Sequence, residues 1–257
     1  MKNGTRQLLR DLKTATMLGN PEAVNIALDG LLAFPGVAAN DRMNEGFIEK
    51  TIIPVGQALA PLKTSQLRPL LEHKLATGRA IGAVALADQF IAGKDATAKD
   101  LRKPANDPRQ DVRFSLGRAL LTLGDMTPEK LLNLGTPWLM NAAPKPRYTA
   151  LIFIPALAES HGQRIVGLLG PLGSDTDREV RAALVEALNS LARAGLAKSV
   201  LELLSLWTAE AYPNSWVIGR VLSASWVADH LAIAESILKE LSSKPGTTSQ
   251  VNSAVEA

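Results

Sequence analysis

The histidines are the first residues to consider for catalysis or metal binding in this 257-residue chain. His73, His161 and His230 are far apart, and none lies one helical turn from another metal ligand, as a helical zinc site would need. The chain has no cysteine, no GxSxG motif and no glycine-rich phosphate loop ending in lysine. The sequence therefore predicts no catalytic residue, no metal and no cofactor, and we expect a protein that is not an enzyme.

Aromatic residues and arginines near the C-terminus could instead bind a partner. Trp216 and Arg220 are four residues apart, so on a helix they would share one face, where the guanidinium can lie over the indole ring. The tryptophans of this region either cap the end of the core or form part of a binding surface. As candidate contacts with a partner protein we predict Arg118, Trp216, Arg220 and Trp226.

Basic residues are concentrated in the middle of the chain, but acidic residues are interleaved with them. The formal net charge is only +3 and the pI is about 9.2, a weaker basic character than nucleic-acid-binding surfaces usually have. Ion pairing on helix surfaces is the simplest explanation. Phosphate contact is the alternative, and its candidate residues are Lys99, Arg102, Lys103, Arg118 and Arg220.

The segment SDTDREVRAALVEALNSLARAG, residues 174–195, indicates which elements position these side chains. Its polar start can accept hydrogen bonds from the free N–H groups of a first helical turn. An apolar stripe follows at helical spacing and consists of Val180, Leu184, Ala187, Leu188 and Leu191. Gly195 is a typical helix terminator, and a second amphipathic helix, LAKSVLELLSLW, comes next. The segment therefore predicts a helical hairpin.

The same pattern recurs along the chain. NDPRQDVRFSLGRALLTLGD matches it with Arg113 in the place of Arg181, and half of that offset brings Arg79 and Arg147 into register. The period is thus thirty-four residues, the step from Arg113 to Arg147. Two apolar columns follow it without an insertion: the first is Leu18, Ile52, Leu86, Leu120, Ile154, Leu188 and Leu222, and the second is Ala33, Leu67, Leu101, Gly135, Leu169, Leu203 and Ile237. With 46% hydrophobic and only 4% aromatic residues, the sequence predicts an all-α chain of about seven stacked hairpins.

The motif of these repeats, an aspartate followed five and six positions later by Val-Arg, resembles that of HEAT repeats. It is complete at Asp107-Val112-Arg113 and at Asp175-Val180-Arg181. His73 and Asn141 occupy the aspartate position before Arg79 and Arg147, and Ser215 occupies the arginine position of the last repeat.

The resemblance implies an α-solenoid, a right-handed α-α superhelix, in which aspartate and arginine form a ladder between neighbouring repeats. The ladder residues would be Arg79, Asp107, Arg113, Arg147, Asp175 and Arg181, with a structural role. We expect this solenoid to span residues 1–241 and the polar tail, residues 242–257, to be disordered. Pro54 and Pro155 lie inside predicted helices and should kink or end them.

The start of the chain has no apolar signal region, and no stretch reaches the roughly 18 apolar residues of a membrane span. We therefore expect a soluble, cytoplasmic protein with no membrane partner. The leading functional hypothesis is a non-enzymatic scaffold or adaptor that docks a partner protein on its concave face or turn edge. The alternative is a nucleic-acid-binding solenoid, which would include one of the type of the DNA glycosylases built from HEAT-like repeats, and its affinity would fall steeply with salt.

Overall fold

The computed structural model describes residues 3–32, 36–38, 40–123, 127–210 and 214–244. Over these residues the protein is helical, with no β-strand and one isolated antiparallel bridge between Val37 and Met43. The predicted all-α class is confirmed. Of the predicted disordered tail, residues 245–257 lie outside the described residues, as do Ala33 and Tyr212. Ser242 is the last residue of the final helix.

The chain divides into two compact units, Met1–Lys130 and Leu131–Ala257. The helices of the first unit are α1 (Asn3–Met17), α2 (Pro21–Leu32), α3 (Glu45–Phe47), α4 (Ile53–Leu59), α5 (Arg68–Leu71), α6 (Ala76–Ile91), α7 (Arg102–Ala105) and α8 (Gln110–Leu123). A π-helical turn, Ile48–Ile52, joins α3 to α4. Helix α6 packs between α4 and α8, and the short helices α5 and α7 pack against α6 and α8. In this unit α4, α6 and α8 therefore form one row with α5 and α7 beside it, and α1 packs on α2.

The helices of the second unit are α9 (Pro128–Leu139), α10 (Pro144–Phe153), α11 (Ala158–Leu169), α12 (Arg178–Leu191), α13 (Ala197–Ala209), α14 (Ser215–Leu222) and α15 (Leu231–Ser242), α9 beginning just before the boundary. One row consists of α10, α12 and α14, each packed on the next. A second row consists of α11, α13 and α15. Successive helices thus alternate between two layers within this unit.

Four long helices begin at regular intervals of sequence. Helices α6, α8, α10 and α12 start at Ala76, Gln110, Pro144 and Arg178, each one predicted period after the one before. The intervals change at both ends, since α3 begins less than one period before α6, and α14 begins more than one period after α12. The helix starts therefore follow the predicted period over these four helices and depart from it before α6 and after α12. In α14 the fourth helical residue, the arginine position of the four regular helices, is Ile218 and not Ser215.

The two apolar columns predicted from the sequence lie in the core over most of their length. Six of the seven residues of the first column are buried, and the exception is Leu18, whose side chain is 70% exposed. Leu18 follows the last residue of α1 and precedes Gly19, which has a φ of 62° and ends that helix. All six described residues of the second column are buried.

Local sequence explains where several of these helices begin and end. Asp177 caps α12 by accepting hydrogen bonds from the backbone N–H groups of Glu179 (2.9 Å) and Val180 (3.0 Å). Gly195, with a φ of 93°, provides the left-handed backbone of the turn between α12 and α13. Pro155 lies in a 3₁₀ turn that separates α10 from α11, as predicted, and Pro54 follows the π-helical turn before α4.

Among the described residues no single helix is long and apolar enough to cross a membrane. One pair, Ser215–Leu222 and Ser225–Ser242, reaches that length and apolarity only when its two parts are joined, and it is bent by 86°.

Candidate functional site

Three arginines hold the loop that precedes their own helix. Arg79, Arg113 and Arg147 are each the fourth residue of a helix, and the Nη1 group of each donates to two backbone carbonyls, five and six residues earlier. The acceptors are His73 (2.9 Å) and Lys74 (2.9 Å) for Arg79, Asp107 (2.6 Å) and Pro108 (3.1 Å) for Arg113, and Asn141 (2.7 Å) and Ala142 (2.8 Å) for Arg147. A guanidinium suits this position because its donors form a rigid fork.

Two of these arginines also bind a carboxylate from the following loop. The Nε group of Arg79 lies 2.7 Å from Oδ2 of Asp107, and its Nη2 group lies 3.1 Å from Oδ1. The Nε group of Arg147 lies 2.7 Å from Oδ2 of Asp175. The aspartate side chains are only 8% and 4% exposed, and each also accepts a backbone N–H from two residues later at 2.9 Å. Each aspartate therefore orders its own loop and joins it to the preceding helix.

Arg181, the fourth residue of α12, has different surroundings. The carbonyl six residues before it, that of Asp175, accepts instead from Nδ2 of Asn214 at 3.2 Å. The guanidinium carbon of Arg181 lies 5.6 Å from the ring centroid of Trp216, which is a cation–π distance. Helical spacing favoured Arg220 as the cation over this ring, and the structure places Arg181 there. The Nε group of Arg181 is buried and makes no hydrogen bond to any described residue.

The remaining predicted partner contacts belong to separate elements of the two units. Trp226 is half-buried, and its Nε1 group donates to Oδ1 of Asn189 at 2.9 Å. Arg220 is partly exposed in the last turn of α14. Arg118, on α8 of the first unit, forms a close ion pair with Glu49. The ion pair restricts the head group of Arg118, so it is a weaker candidate than its sequence suggested.

The basic residues predicted as phosphate contacts are partly neutralised by acidic neighbours. Lys103 lies 3.3 Å from Glu72, which also pairs with Arg68 at 3.1 Å. These hydrogen bonds, that of Arg68 first, lower the pKa of the Glu72 carboxyl. Lys99 and Arg102 are exposed, and neither forms an ion pair within the part of the chain that the structure describes.

Each arginine–aspartate pair borders a cavity. In the first unit this cavity is only about 40 Å³, and its lining is Leu71, Arg79, Asp100, Lys103, Pro104 and Asp107. In the second unit it is about 330 Å³, and its lining is Leu139, Met140, Asn141, Arg147, Pro171, Leu172, Ser174, Asp175 and Thr176. Met140 and Pro171 stand two periods after Glu72 and Lys103. The long ion-paired side chains of the first unit are thus replaced by a short proline and an uncharged methionine, so the cavity there is open.

Asp41 is a buried residue that the sequence reading missed. It has a φ of 60°, and its carboxylate accepts hydrogen bonds from the backbone N–H and hydroxyl of Thr77 and, at close range, from the N–H of Ala76. It therefore caps α6 from a loop 35 residues away. Arg109 fixes this loop by donating to the carbonyl of Asp41 at 3.0 Å. No local sequence signal predicts a cap from so distant a residue.

His73 is held in its neutral form by its neighbours. Its Nδ1 atom accepts from the N–H of Leu75 at 3.1 Å, so Nε2 carries the proton and donates to Oδ1 of Asn25 at 2.6 Å. Burial lowers the pKa of His73 below its ordinary value of 6.5, and the charge of Lys74 lowers it further. Asp41 acts in the opposite direction, without reversing the shift.

This histidine should make the stability of the protein depend on pH. Well above pH 6.5 the imidazole is neutral in both the folded and the unfolded state, so its contribution is constant. As the pH falls below 6.5, the unfolded chain takes up the proton first, so the free energy of unfolding should fall until the folded pKa is passed. Denaturant unfolding at several pH values should show this slope in the native protein and a smaller one in His73→Gln.

His230→Gln provides the control, since His230 lies in a 3₁₀ turn of the second unit. That variant should keep the slope of the native protein. An undiminished slope in His73→Gln would mean that other groups cause the acid sensitivity.

Within the described residues no group of three or more histidine, aspartate or glutamate side chains could hold a metal ion. Comparison of the chain with protein-family models, with curated proteins and with solved structures gave no match in any of the three. The class of protein that the fold itself defines is an all-helical protein whose helices pack on one another over the described residues.

Proposed function

We propose that the chain is a non-enzymatic protein-binding scaffold, built as a HEAT-like α-solenoid. The regular starts of α6, α8, α10 and α12 support the solenoid, and so does the burial of the two apolar columns. The repeated bonds of Arg79, Arg113 and Arg147 are a further repeating feature. In such an array each hairpin buries its apolar face on its neighbours and leaves its edges available to partners.

The observation that supports protein binding best is the open cavity of the second unit. Its volume of about 330 Å³ is enough for one or two side chains of a partner. Its apolar lining includes Met140, which is 49% exposed, beside the buried Leu139 and Leu172. Asn141 and Thr176 add polar groups at its border. The lining thus combines four apolar residues with polar and charged ones, and such a mixed surface is typical of protein interfaces.

The charges at this cavity favour a protein over a nucleic acid. Arg147, its basic residue, is paired with Asp175, so no unpaired cation of the lining is available to a phosphate. The nucleic-acid alternative, including a glycosylase-like activity, is favoured only by the exposed Lys99 and Arg102 and the partly exposed Arg220. Binding of that kind would weaken log-linearly with added salt, whereas binding at this cavity, whose one arginine is already paired, would depend on salt much less.

Met140→Glu tests the proposal. In a tagged pull-down from a cell lysate, the native protein should recover a defined partner, and Met140→Glu should reduce the recovery at least tenfold because the new carboxylate loses water in an apolar contact. Leu206→Glu is the matched control, since Leu206 is a 68% exposed apolar residue on α13, outside the cavity lining. It should leave the recovery unchanged.

Nuclease treatment of half of each sample separates the two functions. Recovery that is the same with and without nuclease, and that is lost only in Met140→Glu, is the expected result. If recovery disappears with nuclease, the protein-binding proposal fails. If both glutamate variants behave alike, the cavity is not the binding site.

A further inference from the structure

Arg181 is an arginine of the repeated type that lacks a carboxylate. Arg79 and Arg147 each pair with an aspartate 28 residues later in the sequence. The residue at the same distance after Arg181 is Ala209. Asp107 and Asp175 each stand three residues before the first residue of a long helix, α8 and α12 respectively. The residue at the same place before α14 is Tyr212. Neither residue can supply a carboxylate to Arg181.

The side chain of Arg181 also makes no hydrogen bond to the loop before its own helix, whereas those of Arg79, Arg113 and Arg147 each do. The other arginines donate to the carbonyl six residues before them, and for Arg181 that carbonyl belongs to Asp175. Asn214 donates to it instead. The side chain of Arg181 consequently makes no hydrogen bond and no ion pair with any described residue, and its Nε group is an orphaned buried donor. Both Arg181 and the Trp216 ring beneath it remain partly exposed.

We infer that Arg181 and Trp216 bind an aspartate or glutamate side chain of a partner protein. The inference rests on the proposed protein-binding function and names the chemistry that this part of the partner must have. The partner would supply in trans the carboxylate that the chain supplies to Arg79 and Arg147 from its own loops. The bond would be strong because the guanidinium is already positioned by the indole, and its two-pronged donor set matches a carboxylate.

The structure favours a carboxylate over a phosphate as the acceptor. Arg79 and Arg147 occupy the same position of their helices as Arg181, and each binds an aspartate carboxylate of this chain. The distance from Nε to the carboxylate oxygen is 2.7 Å in both. The side chain of Arg181 is partly exposed, so a partner's carboxylate can approach it from solvent, and its buried Nε group would have to become accessible to bond as in Arg79 and Arg147. Binding of a nucleic acid through Arg181 would therefore contradict the inference.

The test uses the full-length protein and a displayed library of random peptides. Peptides selected on the native protein should share an acidic residue at one fixed position, and changing that residue to its amide should weaken binding. Arg181→Gln should raise the Kd of the selected peptides at least tenfold, and Arg181→Lys, which keeps the charge but not the fork, should have an intermediate effect. Arg164→Gln, an exposed arginine on α11, should bind as the native protein does.

The unfolding midpoint of Arg181→Gln should stay close to that of the native protein, because the Arg181 side chain makes no hydrogen bond to a described residue and only its contact with the Trp216 ring is lost. Peptides without a shared acidic position, or equal binding to Arg181→Gln, would overturn the inference and leave protein binding itself intact. Failure to select any peptide, together with Arg181-dependent binding of a duplex oligonucleotide, would overturn both the inference and the proposed function.

Discussion

Replacing Asp107 by alanine is expected to lower the free energy of unfolding by about 3–5 kcal/mol. The substitution leaves the guanidinium of Arg79, which is 18% exposed, without its carboxylate, and it removes an acceptor from the N–H of Arg109. Asp175→Ala should cost a similar amount, since Asp175 makes the equivalent contacts with Arg147 and with its own loop. Urea unfolding with an unchanged m-value would measure the loss in each case.

An exposed ion pair gives the contrast. Lys198 and Glu202 are 4.0 Å apart with side chains 81% and 64% exposed, so Lys198→Ala should change the free energy of unfolding by about 0.5 kcal/mol or less. Replacing Asp107 and Arg79 together by leucine should cost less than Asp107→Ala alone, because no buried charge is then left unpaired. If Asp107→Ala is as mild as Lys198→Ala, the buried pairs do not stabilise the fold.

Gly173→Ala is expected to destabilise the protein by about 1–3 kcal/mol. Gly173 is a buried residue of the 3₁₀ turn Gly170–Ser174, and a Cβ atom there would overlap the indole of Trp207. Trp207 is only 2% exposed, and its Nε1 group donates to the carbonyl of Gly170 at 2.9 Å. The ring could make room only by weakening that bond and its packing. Thermal unfolding, followed by tryptophan fluorescence, would report both effects.

Gly167→Ala should have the opposite sign. Gly167 lies inside α11, and a Cβ atom at this position would meet nothing within 4 Å. Alanine should therefore stabilise the helix by about 0.5–1 kcal/mol, since it loses less backbone freedom on folding than glycine. A loss of stability in Gly167→Ala equal to that in Gly173→Ala would show that the cost comes from losing glycine and not from contact with Trp207.

Much of the helical structure could be predicted from neighbouring residues. The cap of α12 at Asp177, the turn at Gly195 and the break at Pro155 all depend on a few consecutive residues, and the structure shows each of them. Towards the ends of the chain Leu18 of the first column is exposed, and α14 begins later than the strict period requires. A helix with fewer neighbours is less constrained in its register by packing.

The partners of the charged side chains were harder to predict. Arg118 lies beside Glu49, 69 residues away, and Arg181 lies over Trp216, whereas helical spacing suggested Arg220 for that ring. The open cavity of the second unit depends on residues from two separate segments, among them Met140 and Pro171. Such contacts have no local signal, because they arise only after separate helices pack.

The sequence by itself determined the all-α class and the faces of the helices that are buried, because both follow from the 3.6-residue period of apolar side chains. Only the tertiary structure decided which arginine receives a carboxylate and which is left with an aromatic ring. Arg79, Arg147 and Arg181 occupy the same position of their helices, and the difference between them is made by residues from later loops and helices. A guanidinium binds whatever acceptor the packed backbone brings within about 3 Å, and that geometry exists only in the folded protein.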